Sequence, residues 1–179
     1  NKYVGGRYSV FSEVSMVPAY LMGLNIKKFK TNILDIFFKK EKIKNLINIS
    51  SKVANLYLEK KINSLIIFNY SPQLNNFAYW CQQLLAESLG KKGMGMLPVI
   101  SPAPQDHHSL LQLYLDGPKN KIFYILSSKS LYNLKIKKNY FKKNHNFLSN
   151  LNLEKIVESQ RKAFVEVLKE KKIPFREFH

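Results

Sequence analysis

The chain has 179 residues, a formal net charge of +17 and a hydrophobic share of 45%. That share argues against disorder, the few glycines and prolines against low-complexity or collagen-like sequence, and a single cysteine, Cys81, against an internal disulfide framework or a multi-cysteine zinc site. The length suits one domain, or one domain with a short appendage.

The charge asks for an anionic partner, but all of the basic residues except Arg7, Arg161 and Arg176 are lysines. Base-edge readers favour arginine for its planar fork, so a solvated lysine surface with weak, salt-sensitive and non-specific nucleic-acid binding is the expectation. No stretch offers the roughly 20 apolar residues of a membrane span. Val10 to Leu24 comes nearest and is interrupted by Glu13, Pro18 and several serines. With no secretory signal recognisable either, a cytoplasmic protein without membrane association is expected. The start at Asn1, without methionine, suggests a fragment or a domain of a longer protein.

In chain order, Ser9 to Met22 has helical spacing through Phe11, Val14, Val17 and Leu21, with Ser9 as a candidate N-cap. Asn25 to Lys40 repeats the period through Phe29, Ile33, Ile36 and Phe37, and Asn45 to Lys61 through Leu46, Ile49, Val53, Leu56 and Tyr57. The period then changes. Ser64 to Tyr70 is a continuous apolar run of the kind found in strands buried on both faces. Pro72 opens a helix that stops at Gly90. Met94 to Ile100 reads as a second strand, Asp106 as the cap of a helix through Leu115, and Lys121 to Leu126 as a third strand. Ser127 to Asn150, rich in lysine and asparagine, reads as a surface excursion. A long amphipathic helix from Leu153 to Lys172 precedes a candidate fourth strand at Pro174 to Phe178. This alternation implies an α/β fold, a mostly parallel sheet covered on both faces, with ligands beyond the carboxyl ends of the strands.

Three clusters carry chemistry. Gly5-Gly6-Arg7-Tyr8-Ser9 puts a guanidinium on a tight turn before a helix, an anion site or an ordinary turn. Gln83 and Glu87 share one helix face, and Glu87 in the last turn is a general base if partly desolvated, or a surface carboxylate pairing with a lysine. Asp106-His107-His108-Ser109 opens a helix after a strand, where an uncharged imidazole can accept a proton or serve only in a turn. The spacing suits no zinc motif, and no nucleophile elbow or phosphate-binding glycine loop is present. Cys81 reads as helix packing.

Taken together, the clusters resemble the glucose-6-phosphate isomerase family. Gly5 to Ser12 resembles its G-G-R-[FY]-S-x-x-[ST] signature, Gln83 to Lys91 its Q-x-x-x-E-S-x-G-K helix end, and His107 to Leu113 its Q-H-[SA]-x-x-Q-L segment. The resemblance is strong from Gly5 to about Leu126. It implies a sugar-isomerase fold, an α/β three-layer sandwich with about five strands. Residues 1–24 would close the first such domain and its linker helix, and 25–179 would form the second, incomplete at its C-terminus. It further implies interconversion of glucose 6-phosphate and fructose 6-phosphate through a cis-enediolate, with no cofactor and no metal. Glu87 would be the base, Arg7 the stabiliser of the enediolate and His108 the aid to ring opening. Gln83 and Gly6 would contact the phosphosugar substrate, and a homodimer would supply the histidine across subunits. Departures are the missing phosphate-binding Ser/Thr loop, the missing Q-x-G-V-E-x-x-K signature, Glu13 and Ser15 in place of small residues, and His107 in place of glutamine, which leaves His107 open as the alternative to His108. A catalytically inactive sugar-phosphate-binding domain and a basic nucleic-acid-binding module are the competing readings.

Overall fold

The computed structural model describes residues 4–129, 134–136 and 151–179, and side chains at 32 and 34–37, including Ile36 and Phe37, lie outside it. Most of the excursion expected from Ser127 to Asn150 therefore lies outside the described residues. The chain divides into two compact units, 1–59 and 60–179.

The first unit is helical. A 3₁₀ turn at Gly6–Tyr8 leads to α1 (Glu13–Leu21), α2 (Ile26–Phe38) and α3 (Lys40–Leu58). Ser9 does not cap α1. It closes the 3₁₀ turn, its hydroxyl bonding the Gly6 carbonyl at 2.8 Å, and Ser12 takes the N-cap position. Asn25 does cap α2, its Oδ1 accepting from the Lys28 amide at 2.9 Å.

The second unit, from Lys60, holds the sheet: β1 (Ser64–Asn69), β2 (Leu97–Pro102), β3 (Lys121–Leu126) and β4 (Phe175–Phe178). All pair in parallel in the order β2-β1-β3-β4, four strands among the described residues where about five were expected. The two central strands are the two uninterrupted apolar runs, as burial of both faces requires. Ile66 and Phe68 of β1 align with Phe123 and Ile125 of β3 on one face. They form the core with Tyr114 of α6 (Leu111–Asp116) and Phe164, Val165 and Leu168 of α7 (Leu153–Glu170). Phe68 is fully buried and sits 4.6 Å from Phe164 between ring centroids, burial worth about 1.5–3 kcal/mol. Leu65 and Ile67 point to the opposite face and are equally enclosed. Right-handed crossovers put α4 (Asn75–Leu89), which joins β1 to β2, on that opposite face.

Two local expectations need correction. The strand expected from Met94 begins at Leu97, because Met94 is engaged in a bridge to Lys91 and Gly93 and Gly95 have positive φ. The helix expected from Asp106 to Leu115 is two short helices, α5 (Gln105–Ser109) and α6, interrupted at Leu110, whose φ of −126° lies outside the helical range. Asp106 is not the cap: it lies inside the first turn of α5 and is buried.

Candidate active site

Gln83 and Glu87 lie one turn apart on α4, both exposed, and the Gln83 Nε2 donates to Glu87 Oε1 at 2.8 Å. This bond ties the carboxylate to its neighbour on the same helix face. The Glu87 side chain is exposed, as in the surface-carboxylate alternative of the sequence reading. Just beyond it the chain turns at Gly90. A Cβ there would stand 2.6 Å from the Ala86 carbonyl oxygen, which already accepts the Gly90 amide. Only glycine allows this close exit from the helix that carries the pair.

The level of Glu87 against the sheet follows from two anchors of α4. At its start, Asn75 Oδ1 accepts from Asn69 Nδ2 at the carboxyl end of β1. Seven residues on, Gln82 Nε2 donates to the carbonyl of Pro98, the second residue of β2. Glu87 lies a further five residues along the helix, about 7.5 Å at 1.5 Å per residue. It therefore stands at the amino edge of the strands.

The two histidines occupy the other edge, on α5 after β2, and they differ sharply. His107 is half-buried: its ring lies 5.4 Å from Phe68 and 5.6 Å from Phe164, and its Nε2 faces the Tyr70 hydroxyl at 2.6 Å. Burial pulls the His107 pKa below its ordinary value, and burial pushes the Tyr70 hydroxyl up, the Arg161 charge opposing only part of that. Burial thus favours the uncharged form of both groups in this hydrogen bond. His108 is exposed. Of the two candidates, His108 has the free surface that a substrate needs.

Arg7 and Gly6 lie in the first unit. The 3₁₀ turn is closed by the Tyr8 and Ser9 amides donating to the Gly5 and Gly6 carbonyls. Arg7 is half-buried with its guanidinium 6.0 Å above the Tyr8 ring. Space beside the Gly6 Cα is open.

Beyond the carboxyl ends of β1 and β3, where the strand order reverses, lies a cavity of about 680 Å³ bounded by Tyr70, Ser71, Gln73, Ser128, Val157 and Arg161. Its polar groups are engaged with one another. Ser71 Oγ accepts the Ser128 amide at 2.7 Å, Gln73 donates to Ser128, and Arg161 holds Glu158 and Glu177. The hydrogen bond to Arg161 keeps the Glu158 carboxyl below its ordinary value. None of the candidate site residues lines this cavity. Cys81 is half-buried and burial raises its thiol pKa, an unreactive setting. No helix among the described residues is long and apolar enough to cross a membrane, and none of them form a metal-ligating cluster.

Sequence reasoning takes Asp106 for a cap and Tyr70 for the end of a strand. The structure turns Asp106 inward to Ser101, five residues before it, and joins Tyr70 to His107 across 37 residues of sequence. A polar aromatic closing an apolar strand run is the one signal available for Tyr70.

Fold and site together define an open, parallel α/β domain with an oriented glutamate at one edge and an exposed histidine at the other. A model of the family described as phosphoglucose isomerase matches residues 1–96, a span that holds Gly6, Arg7, Gln83 and Glu87 and ends before His108. The chain is 37% identical over 129 residues to the glucose-6-phosphate isomerase of Methanocaldococcus jannaschii, covering 70% of this chain and 32% of that protein. It is 35% identical over 175 residues to a probable glucose-6-phosphate isomerase of Methanococcus maripaludis (96% and 39%), and 34% identical over 174 residues to the glucose-6-phosphate isomerase of Campylobacter jejuni (92% and 42%). The chain belongs to the phosphoglucose isomerase family. It spans roughly a third to two fifths of the length of these relatives. A crystal structure of a hypothetical protein from Thermus thermophilus shares the fold, with a TM-score of 0.79 at 23% identity over 98% of this chain and 44% of that one.

Proposed function

We propose that the protein carrying these residues interconverts glucose 6-phosphate and fructose 6-phosphate. The observation that supports this most is the Gln83–Glu87 pair, an exposed carboxylate hydrogen-bonded to a glutamine one turn before it, inside the segment matched by the family model. In this reading His108 exchanges a proton with the ring oxygen and the adjacent hydroxyl, so that the pyranose opens to the free aldehyde. Glu87 then takes the proton from C2, and the electron pair moves to the carbonyl oxygen to form the cis-enediolate. Arg7 offsets the negative charge on that oxygen, the step at which a fixed cation lowers the barrier most. The hydroxyl proton on O2 then passes to O1, Glu87 returns the carbon-bound proton to C1, and the ketose is formed. The proton α to a carbonyl moves without a metal or organic cofactor in this scheme. Gln83 orients Glu87, and in this reading Gln83 and Gly6 contact the substrate.

Glu87 at the amino edge and His108 beyond the carboxyl edge of one sheet favour a homodimer in which each site takes its histidine from the other subunit. A cytoplasmic location accompanies this role. The test is a coupled assay of fructose 6-phosphate conversion by the product of the complete coding region containing these residues. Glu87→Gln should lower kcat by at least about 100-fold with KM little changed. Near-native turnover would remove Glu87 as the base. Binding of the phosphosugar without turnover in the unaltered protein would identify an inactive sugar-phosphate-binding domain instead.

A further inference from the structure

His108 rides on α5, a helix of five residues. So short a helix is not stable by itself, and its geometry is set by what holds it to the sheet. Two polar contacts do so. Asp106, 7% exposed, accepts from Ser101 Oγ at 2.5 Å, and the fully buried Ser101 lies near the carboxyl end of β2. Tyr114 of α6 closes the cluster by donating to Ser101 Oγ at 3.2 Å. On the next residue, His107 Nε2 meets the Tyr70 hydroxyl directly after β1. Successive helical residues point about 100° apart, so with 106 and 107 both turned to the sheet, 108 is turned out.

We propose that Asp106 and Tyr70 are positioning residues for His108, clamping α5 to the ends of two adjacent strands so that the imidazole is presented in one orientation. A buried carboxylate is tolerated only when hydrogen-bonded, and Ser101 is placed to do that. His107 serves as an anchor in the same clamp through the hydrogen bond between its Nε2 and the Tyr70 hydroxyl. The second histidine of the doublet therefore remains free for proton exchange. Orientation matters because a displacement of about 1 Å at a proton-transferring group costs on the order of 100-fold in rate.

The catalytic part of this inference rests on the isomerase reading, and the structural part does not. The test compares Asp106→Ala, Asp106→Asn and Tyr70→Phe in the complete protein on two substrates. One is fructose 6-phosphate, which must open its ring. The other is an acyclic four-carbon aldose 4-phosphate, which has no free hydroxyl able to close one and reports proton exchange next to its carbonyl in heavy water. Asp106→Ala should lower turnover of the hexose phosphate by about 10–100-fold and barely change exchange on the acyclic compound. Asp106→Asn, whose amide oxygen still accepts from Ser101, should recover most of the loss, and Tyr70→Phe should follow the alanine variant more weakly. Equal losses on both substrates, or none, would overturn the positioning role. Amide hydrogen exchange across Gln105 to Leu110 in the 179-residue chain supplies a readout without activity. Asp106→Ala should speed it, and unchanged exchange would overturn the clamp. An unaltered protein that fails to isomerise would overturn the isomerase reading, and α5 exchange alone would then decide the clamp.

Discussion

The His107 imidazole is held uncharged by its enclosure between Phe68, Phe164 and Tyr70, with a pKa below the ordinary 6.5. Between that lowered value and 6.5 the unfolded chain binds more protons at this residue than the folded one. Stability therefore rises with pH through the window, is complete above pH 6.5 and is lost as pH falls toward the folded value. His107→Gln should flatten this dependence. The slope difference should stay well under the one-proton ceiling of about 1.4 kcal/mol per pH unit, because the ring is only half-buried. Urea unfolding of both forms at pH 5 and pH 7.5 checks it, and parallel slopes would show that the imidazole does not carry the effect. The same enclosure explains why the doublet is ambiguous in sequence. Both histidines share one short helix, and what separates them is packing from β1 and α7, remote in the chain. Gln83 and Glu87, by contrast, are legible because an i,i+4 spacing needs only its own helix.

At the scale of elements, α7 is the segment whose ends chemistry fixes most clearly. Asn152 caps its start, Oδ1 accepting the Glu154 amide at 2.8 Å. At its end the Lys172 amide donates to the Lys169 carbonyl and the Ile173 amide to the Leu168 carbonyl, the paired bonds of a Schellman turn. The residue in the left-handed position is Lys172, with φ of +53°, where glycine carries no steric cost. Lys172→Gly should stabilise the sheet-bearing unit by about 0.5–1 kcal/mol, the relief of backbone strain outweighing the extra freedom of glycine in the unfolded chain. A higher urea midpoint at unchanged slope is the expected result, and a lower midpoint would mean that the lysine is not strained there. β1 and β3 are readable almost to the residue because strands buried on both faces must be apolar throughout. The break at Leu110 is not, since neither glycine nor proline marks it. The interruption instead accompanies Asp106, which turns inward to Ser101 rather than capping one continuous helix.

For the whole molecule, the decisive fact is that a single sheet separates the two candidate proton carriers. Glu87 lies about 7.5 Å past the level of Pro98 toward the amino edge, and Ser101, beneath α5, lies about 10 Å from Pro98 in the opposite direction. Along the strands alone the gap is about 17 Å, far beyond the reach of two groups acting on one hexose phosphate. If a second subunit closes the site, each active site combines Glu87 from one chain with His108 from the other. Mixing is then diagnostic. Glu87→Gln and His108→Gln homodimers should each be nearly inactive. Unfolded together and refolded at equal amounts, they pair at random, and half of the dimers are mixed. In a mixed dimer one site receives both defects and the other receives neither. Activity should return to about one quarter of that of the unaltered protein. If both groups acted from the same chain, every site in the mixture would keep one defect and no activity would return, so a flat response on mixing would rule out the shared site.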